Sequence, residues 1–208
     1  CQAECPACAR ETDPTFDKRV RNWLTVKDFE HYEKLIYRLD KFFMCGNYGD
    51  PAANSDTKSI FSYVRKVNSS IVLGMNTNGG LQGQYWWTNL ANILYKPRDY
   101  VVFSIDGLED THSLYRQDTN WNTVIRNATA FIEAGGTAVW RFIPFDHNQD
   151  QEESCKAMAK ELGFLKFENI DEDTDDVIDY IDDAVKQKAT NSTFDKYGRN
   201  KKMWIDDH

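Results

Sequence analysis

Cys1, Cys5 and Cys8 stand in the pattern CxxxCxxC. A short loop with three thiolates can ligate three irons of a four-iron, four-sulfur cube and leave the fourth iron open to a ligand that is not protein. Structural zinc is the other metal such thiols could hold. Zinc takes four ligands, however, and neither a second CxxC nor a nearby histidine supplies the fourth. Downstream, polar groups gather in short clusters. These are Cys45-Gly46-Asn47-Tyr48-Gly49-Asp50-Pro51, Asn76-Thr77-Asn78-Gly79-Gly80, Ser104-Ile105-Asp106-Gly107 with His112 and Arg116 following, and Asp146-His147-Asn148.

Each polar cluster follows an apolar, strand-like run. The runs are Phe42 to Met44, Ser70 to Met75, Tyr100 to Ile105 and Ala138 to Phe145, with a weaker one at Phe164 to Phe167. Between them, apolar residues recur at helical spacing: Val26, Phe29, Leu35, Ile36 and Leu39; Ile60, Val64 and Val67; Val124, Ala128, Phe131 and Ile132; Cys155, Ala159 and Leu162. Strand starts about 30 residues apart match one strand, crossover helix and return. Ile71-Val72-Leu73 and Tyr100 to Phe103 are apolar on both faces, as strands of a helix-covered parallel sheet are. The fold class expected is therefore α/β, with functional groups on the loops after the carboxyl ends of the strands.

At 208 residues the chain fits one ordinary domain that needs no disulfides. The five cysteines are odd in number and clustered at one end, which argues against a secreted disulfide framework and for a reducing cytoplasm. A net charge of -8 without a basic stripe argues against nucleic acid. No apolar run approaches the roughly 20 residues that span a bilayer, and no signal peptide precedes Cys1, so no membrane partner is expected. From Glu168 to Asp183, nine of sixteen residues are acidic and none is basic. Val177, Ile178, Ile181 and Val185 keep helical spacing there, which predicts a solvated acidic helix at the domain edge.

Taken in order, these motifs resemble the radical S-adenosylmethionine (SAM) enzymes, including the subgroup with peptide-modifying members. CxxxCxxC matches the cluster loop, Gly46 to Pro51 the glycine-rich acidic segment, and Thr77-Asn78-Gly79 and Ser104 to Gly107 with Arg116 the next two strand ends. The resemblance covers roughly residues 1 to 165. It implies a partial (β/α)6 TIM barrel over 1–167, without its first strand in this sequence, and an acidic helix and extension over 168–208. It also implies one [4Fe-4S] cluster on Cys1, Cys5 and Cys8, and SAM held by its amine and carboxylate on the open iron. An external one-electron reductant and an unidentified peptide or small-molecule substrate are the implied partners. The cofactors carry the hard step, reductive cleavage of SAM to a 5'-deoxyadenosyl radical that removes a hydrogen atom, while the protein binds and orients them.

By the same resemblance, Gly46, Asn47, Tyr48 and Gly49 bring backbone to the methionine amine, and Asp50 answers its charge. Asn78, Ser104 and Asp106 bond ribose or methionine groups, Arg116 is the fork for the methionine carboxylate, and Asn148 contacts adenine or ribose. Ala7 stands where relatives often carry an aromatic residue before the third cysteine. Other tempting residues read as structure: Cys155 as a buried thiol, Cys45 as strand-end packing, and Tyr85-Trp86-Trp87 as the start of an amphipathic helix. With only Cys45 and Cys155 left over, a second cluster is not expected. A degenerate metal-binding interaction module without catalysis is the alternative reading.

Overall fold

Runs that are apolar on both faces become the centre of one sheet in the computed structural model, which describes residues 1–16 and 23–170. Strands β1 (Lys41–Met44), β2 (Val72–Thr77), β3 (Tyr100–Ser104), β4 (Ala138–Phe142) and β5 (Lys166–Asn169) lie side by side in that order. Every neighbouring pair is parallel, in the registers Met75↔Val101 and Phe103↔Trp140 among others. The sheet is open, with β1 and β5 at its edges among the described residues. Helices α1 (Ala9–Thr12), α2 (Val26–Glu30) and α3 (Glu33–Ile36) precede β1. Helices α4 (Thr57–Val67), α5 (Gln84–Ile93), α6 (His112–Tyr115), α7 (Trp121–Glu133) and α8 (Glu152–Leu162) fill the crossovers.

Strand alternation sends Leu73, Met75, Val101, Phe103, Trp140 and Phe142 into one core with Phe61 of α4, Trp87 of α5, Phe131 of α7 and Cys155 of α8. Trp87 is fully buried, 5.2 Å from the Phe103 ring and 6.4 Å from that of Phe131. On the other face, a Cβ on Gly74 would lie 2.7 Å from the Tyr100 carbonyl oxygen and 2.8 Å from the Phe43 ring. Its absence lets Phe43 and Tyr100 meet across β2, ring centroids 5.3 Å apart, and lets Lys41 Nζ reach the Tyr100 hydroxyl at 2.7 Å. None of the helices in the described residues is long and apolar enough to cross a membrane.

The amino ends of the strands are clipped together by a buried ion pair. Arg65 of α4 meets Asp99 at 2.5 Å and also donates to the Ile71 carbonyl. Asp99 in turn accepts the backbone N–H groups of Leu73 and Lys96, each at 2.9 Å. With both charges paired and the carboxylate further hydrogen-bonded, burial is tolerable.

Several expected boundaries move for local reasons. The run from Ala138 ends at Phe142 because Ile143 and Phe145 turn their N–H groups to the Asp106 and Asn148 side chains instead of the ladder. Phe164 closes α8 by donating to the Ala159 carbonyl after Gly163, whose φ is +87°, so β5 starts two residues later than expected. Glu168 consequently belongs to β5 and not to an acidic helix; it is buried and paired with Arg141 at 2.6 Å. The rest of the predicted acidic helix and the extension lie outside the described residues. The single helical pattern from Val26 to Leu39 is broken at Tyr32, whose backbone leaves the helical region between α2 and α3.

Candidate active site at the carboxyl ends of the strands

The cluster loop is held by its own turn and by its neighbours. Cys8 donates its N–H to the Cys5 carbonyl at 3.0 Å, and its own carbonyl caps α1 by accepting from the Glu11 and Thr12 N–H groups. Arg10 reaches back from α1 to the carbonyls of Cys1, at 2.8 Å, and Ala3. Glu4 N–H bonds the Gln117 carbonyl at 3.0 Å, which ties the loop to the segment after α6. Cys5 is buried, while Cys1 and Cys8 are half-buried.

Beyond β1 the glycine-rich segment turns sharply. Gly46 has φ +74°, and a Cβ there would crowd the Gly49 carbonyl at 3.1 Å and the Asn76 carbonyl at 3.3 Å. Asn47, Tyr48 and Cys45 are exposed, so Cys45 does not pack at the strand end as expected. Asp50 is buried and its carboxylate is committed to the protein. It accepts from Ala52 N–H at 2.9 Å, from Asn78 N–H at 2.8 Å and from the Thr77 hydroxyl. Asn76 donates to the Cys45 carbonyl at 3.2 Å and leaves Oδ1 buried with no hydrogen-bond partner among the described residues. Asn78 pairs its side-chain amide with that of Gln2, Oδ1 accepting at 2.9 Å, and brings Nδ2 to 3.3 Å from Cys1 Sγ.

At the end of β3, Ser104 is half-buried opposite Arg141 of β4 and on the face away from Phe103. Asp106 is fully buried; it accepts from Arg116 Nε at 2.6 Å and from Ile143 N–H at 2.8 Å. Arg116 Nη1 lies 3.8 Å from Cys5 Sγ, and its guanidinium rides over the Tyr115 ring at 5.2 Å. Asn148 is fully buried and spends its amide on its own turn, accepting from Phe145 N–H at 2.6 Å and donating to the Ile143 carbonyl at 3.1 Å. Beside it, an open cleft of about 500 Å³ runs between the β4 and β5 ends, walled by Phe145 and by the acidic Asp146, Asp150 and Glu152.

Electrostatically, Arg116 is the cation set between the buried Cys5 and Asp106. Burial pushes the Cys5 thiol up from its ordinary value, and the Arg116 charge works against that rise. Burial disfavours the Arg116 charge too, but Asp106 and Cys5 carry its pKa above the ordinary value, and we take the Arg116–Asp106 pair as ionised. His112 is fully buried with Nδ1 accepting from Asp106 N–H at 3.2 Å and Nε2 3.1 Å from the Thr119 hydroxyl. Burial, then Arg116, lowers its pKa to about 4, so it is a neutral strut. Cys155 is a buried core thiol pushed up to about 12, chiefly by burial.

No three His, Cys, Asp or Glu side chains come together among the described residues closely enough for a single metal ion. A cubane asks instead for one sulfur on each of three irons. The donor set suits that: three thiols on one loop, outside any disulfide, two of them facing N–H groups.

Of the strand-end residues, Asn78 after β2 and Arg116 after β3 meet the cysteine loop directly, and Asp50 after β1 is joined to them through the Asn78 N–H. Thr77 of the Thr77-Asn78-Gly79 motif holds Asp50 through its hydroxyl, and Gln2 and Arg10, not singled out in the sequence, also hold the site. Arg10 had a usable signal: it follows Cys8 by two residues, and a tight loop leaves carbonyls in need of a nearby donor.

No protein-family model and no curated protein matches the chain. Solved structures do. Streptococcus suis SuiB bound to its precursor peptide SuiA superposes with a TM-score of 0.64 at 17% identity, over 81% of this chain and 36% of that one. The anSMEcpe protein with bound AdoMet gives 0.58 at 20%, over 81% and 49%. TYW1 with a lysine-pyruvate adduct gives 0.52 at 11%, over 94% and 71%. The chain thus spans less than half the length of the SuiB and anSMEcpe chains. These three are radical SAM enzymes, and the open sheet of five parallel strands described above has the radical SAM fold.

Proposed function

We propose that the chain is the core of a radical SAM enzyme that abstracts a hydrogen atom from a peptide or small organic substrate. The observation that carries this reading is the meeting of the cysteine loop with the β2 and β3 ends, where Asn78 faces Cys1 and Arg116 faces Cys5. Neighbours of the same fold bind S-adenosylmethionine, and SuiB and anSMEcpe bind peptides, which supports both halves of the proposal.

Cys1, Cys5 and Cys8 would hold a [4Fe-4S] cluster, which supplies, when bound, the electron that cleaves SAM reductively. An external one-electron reductant is required, and a reducing cytoplasm suits the thiols. The exposed Gly46, Asn47 and Tyr48 and the half-buried Gly49 would offer backbone to the methionine amine, and Asn76 Oδ1, without a hydrogen-bond partner among the described residues, would add an acceptor for it. Arg116 keeps Nη2 for the carboxylate, since Nε and Nη1 are engaged. Ser104, half-buried at the end of β3, would bond ribose. Asp50, Asp106 and Asn148 act through the groups they hold, because their side-chain atoms are bonded within the protein.

Anaerobic reconstitution with iron and sulfide, then dithionite and SAM, should yield 5'-deoxyadenosine, and a Cys5→Ala variant should yield none. A cluster-loaded chain that releases no deoxyadenosine, or a chain that takes up one zinc and no labile sulfide, would overturn the reading.

A further inference from the structure

Resting on the cluster reading above, we propose that Asn78 and Arg116 are outer hydrogen-bond donors to the cluster sulfurs, set to raise its reduction potential. Both side chains are fixed from behind. The Asn78 backbone is anchored on Asp50 at 2.8 Å, and its Oδ1 accepts from Gly80 N–H at 2.8 Å and from Gln2 Nε2 at 2.9 Å. An amide whose oxygen is so engaged must present its NH2 end to the sulfur, 3.3 Å from Cys1 Sγ. Arg116 is clamped through Nε on Asp106, whose other oxygen is bonded to Ile143 N–H. That clamp and the Tyr115 ring beneath aim Nη1 at Cys5 Sγ. The third cysteine has no such donor: Cys8 Sγ meets no side-chain N–H among the described residues.

Reduction adds one negative charge to the cluster, and N–H groups on its sulfurs stabilise the more negative state. In a chain of net charge -8, the surrounding field opposes that electron. Two donors on two of the three ligating sulfurs act in the opposite direction, through Asn78 Nδ2 and Arg116 Nη1, atoms distinct from the Arg116 Nη2 assigned to the methionine carboxylate. They are positioning and tuning residues.

The test is a redox titration, followed by electron paramagnetic resonance without SAM, of the reconstituted 208-residue chain and two variants. Asn78→Asp keeps the acceptor for Gly80 and removes the donor; Arg116→Lys keeps a charge for Asp106 but cannot span to Cys5 as well. With iron and sulfide content equal to the parent, the ratio of reduced to oxidised cluster at the parent's midpoint should fall about tenfold in Asn78→Asp, equivalent to about 59 mV. It should fall by less in Arg116→Lys. The parent alone gives a second readout, because its iron–cysteine stretching modes in resonance Raman should shift in D2O. A cluster whose midpoint ignores both substitutions, or whose modes ignore deuterium, overturns this inference alone. A parent that binds no cluster overturns it together with the proposed function, whereas a parent with variant-sensitive midpoint and no SAM cleavage overturns only the catalytic reading.

Discussion

The Asp50 carboxylate accepts the Asn78 backbone N–H at 2.8 Å, so the loop after β1 and the end of β2 are one unit. Removing that carboxylate leaves the N–H groups of Ala52 and Asn78 and the Thr77 hydroxyl buried without their acceptor. Asp50→Ala should therefore destabilise the apo chain by about 2–3 kcal/mol. Urea unfolding measures it; an unchanged midpoint would mean that Asp50 serves a ligand and not the scaffold.

Acid should loosen the same end of the sheet through His112. Its folded pKa is about 4, lowered by burial and by Arg116, against an unfolded value of 6.5. Between those values the unfolded chain binds a proton that the folded chain refuses, so stability falls as pH falls through this window. The contribution is about 3 kcal/mol. Apo protein unfolded in urea at pH 6.5 and pH 4.5 should lose more stability than a His112→Gln variant over the same interval.

Asp99 is predicted to matter for folding and not for the site. Asp99→Asn removes the partner of buried Arg65 at the strand ends remote from the cysteines. A cost of about 3–5 kcal/mol is expected from stranding that charge. Iron and sulfide uptake at a temperature where the variant stays folded should match the parent, and reduced uptake would place the clip in the site after all.

Gly46→Ala tests the glycine-rich turn directly. The left-handed backbone strains any side chain, and the 3.1 Å approach to the Gly49 carbonyl crowds a methyl group. A loss of about 1 kcal/mol in stability is expected, and equilibrium dialysis should show weaker SAM retention by cluster-loaded protein. Retention equal to the parent would dismiss the turn as a ligand cradle.

Periodicity and punctuation were enough to read the five strands and their order of appearance, because Val72 to Met75 and Tyr100 to Phe103 are buried on both faces. Boundaries were less legible where a side chain takes over a backbone partner, as Asp106 does for Ile143. Asn78 and Arg116, which meet the cysteine loop, were visible in residue types, but which polar groups the fold itself consumes was not. Asp50, Asp106 and Asn148 have the chemistry of ligand contacts, and only their geometry shows that the fold consumes it. Glu168 was misplaced because composition averages over a window, whereas one half-buried Arg141 decides that residue's environment.

Since each strand in the sheet pairs with its neighbour in sequence, most partners are close along the chain. Short separations carry little loop-closure penalty and favour rapid, stepwise growth. Each new strand–helix unit can dock on the one before it as the polypeptide leaves the ribosome, and the cysteine loop, made before these strands, must wait for the Arg116 segment before its geometry is complete.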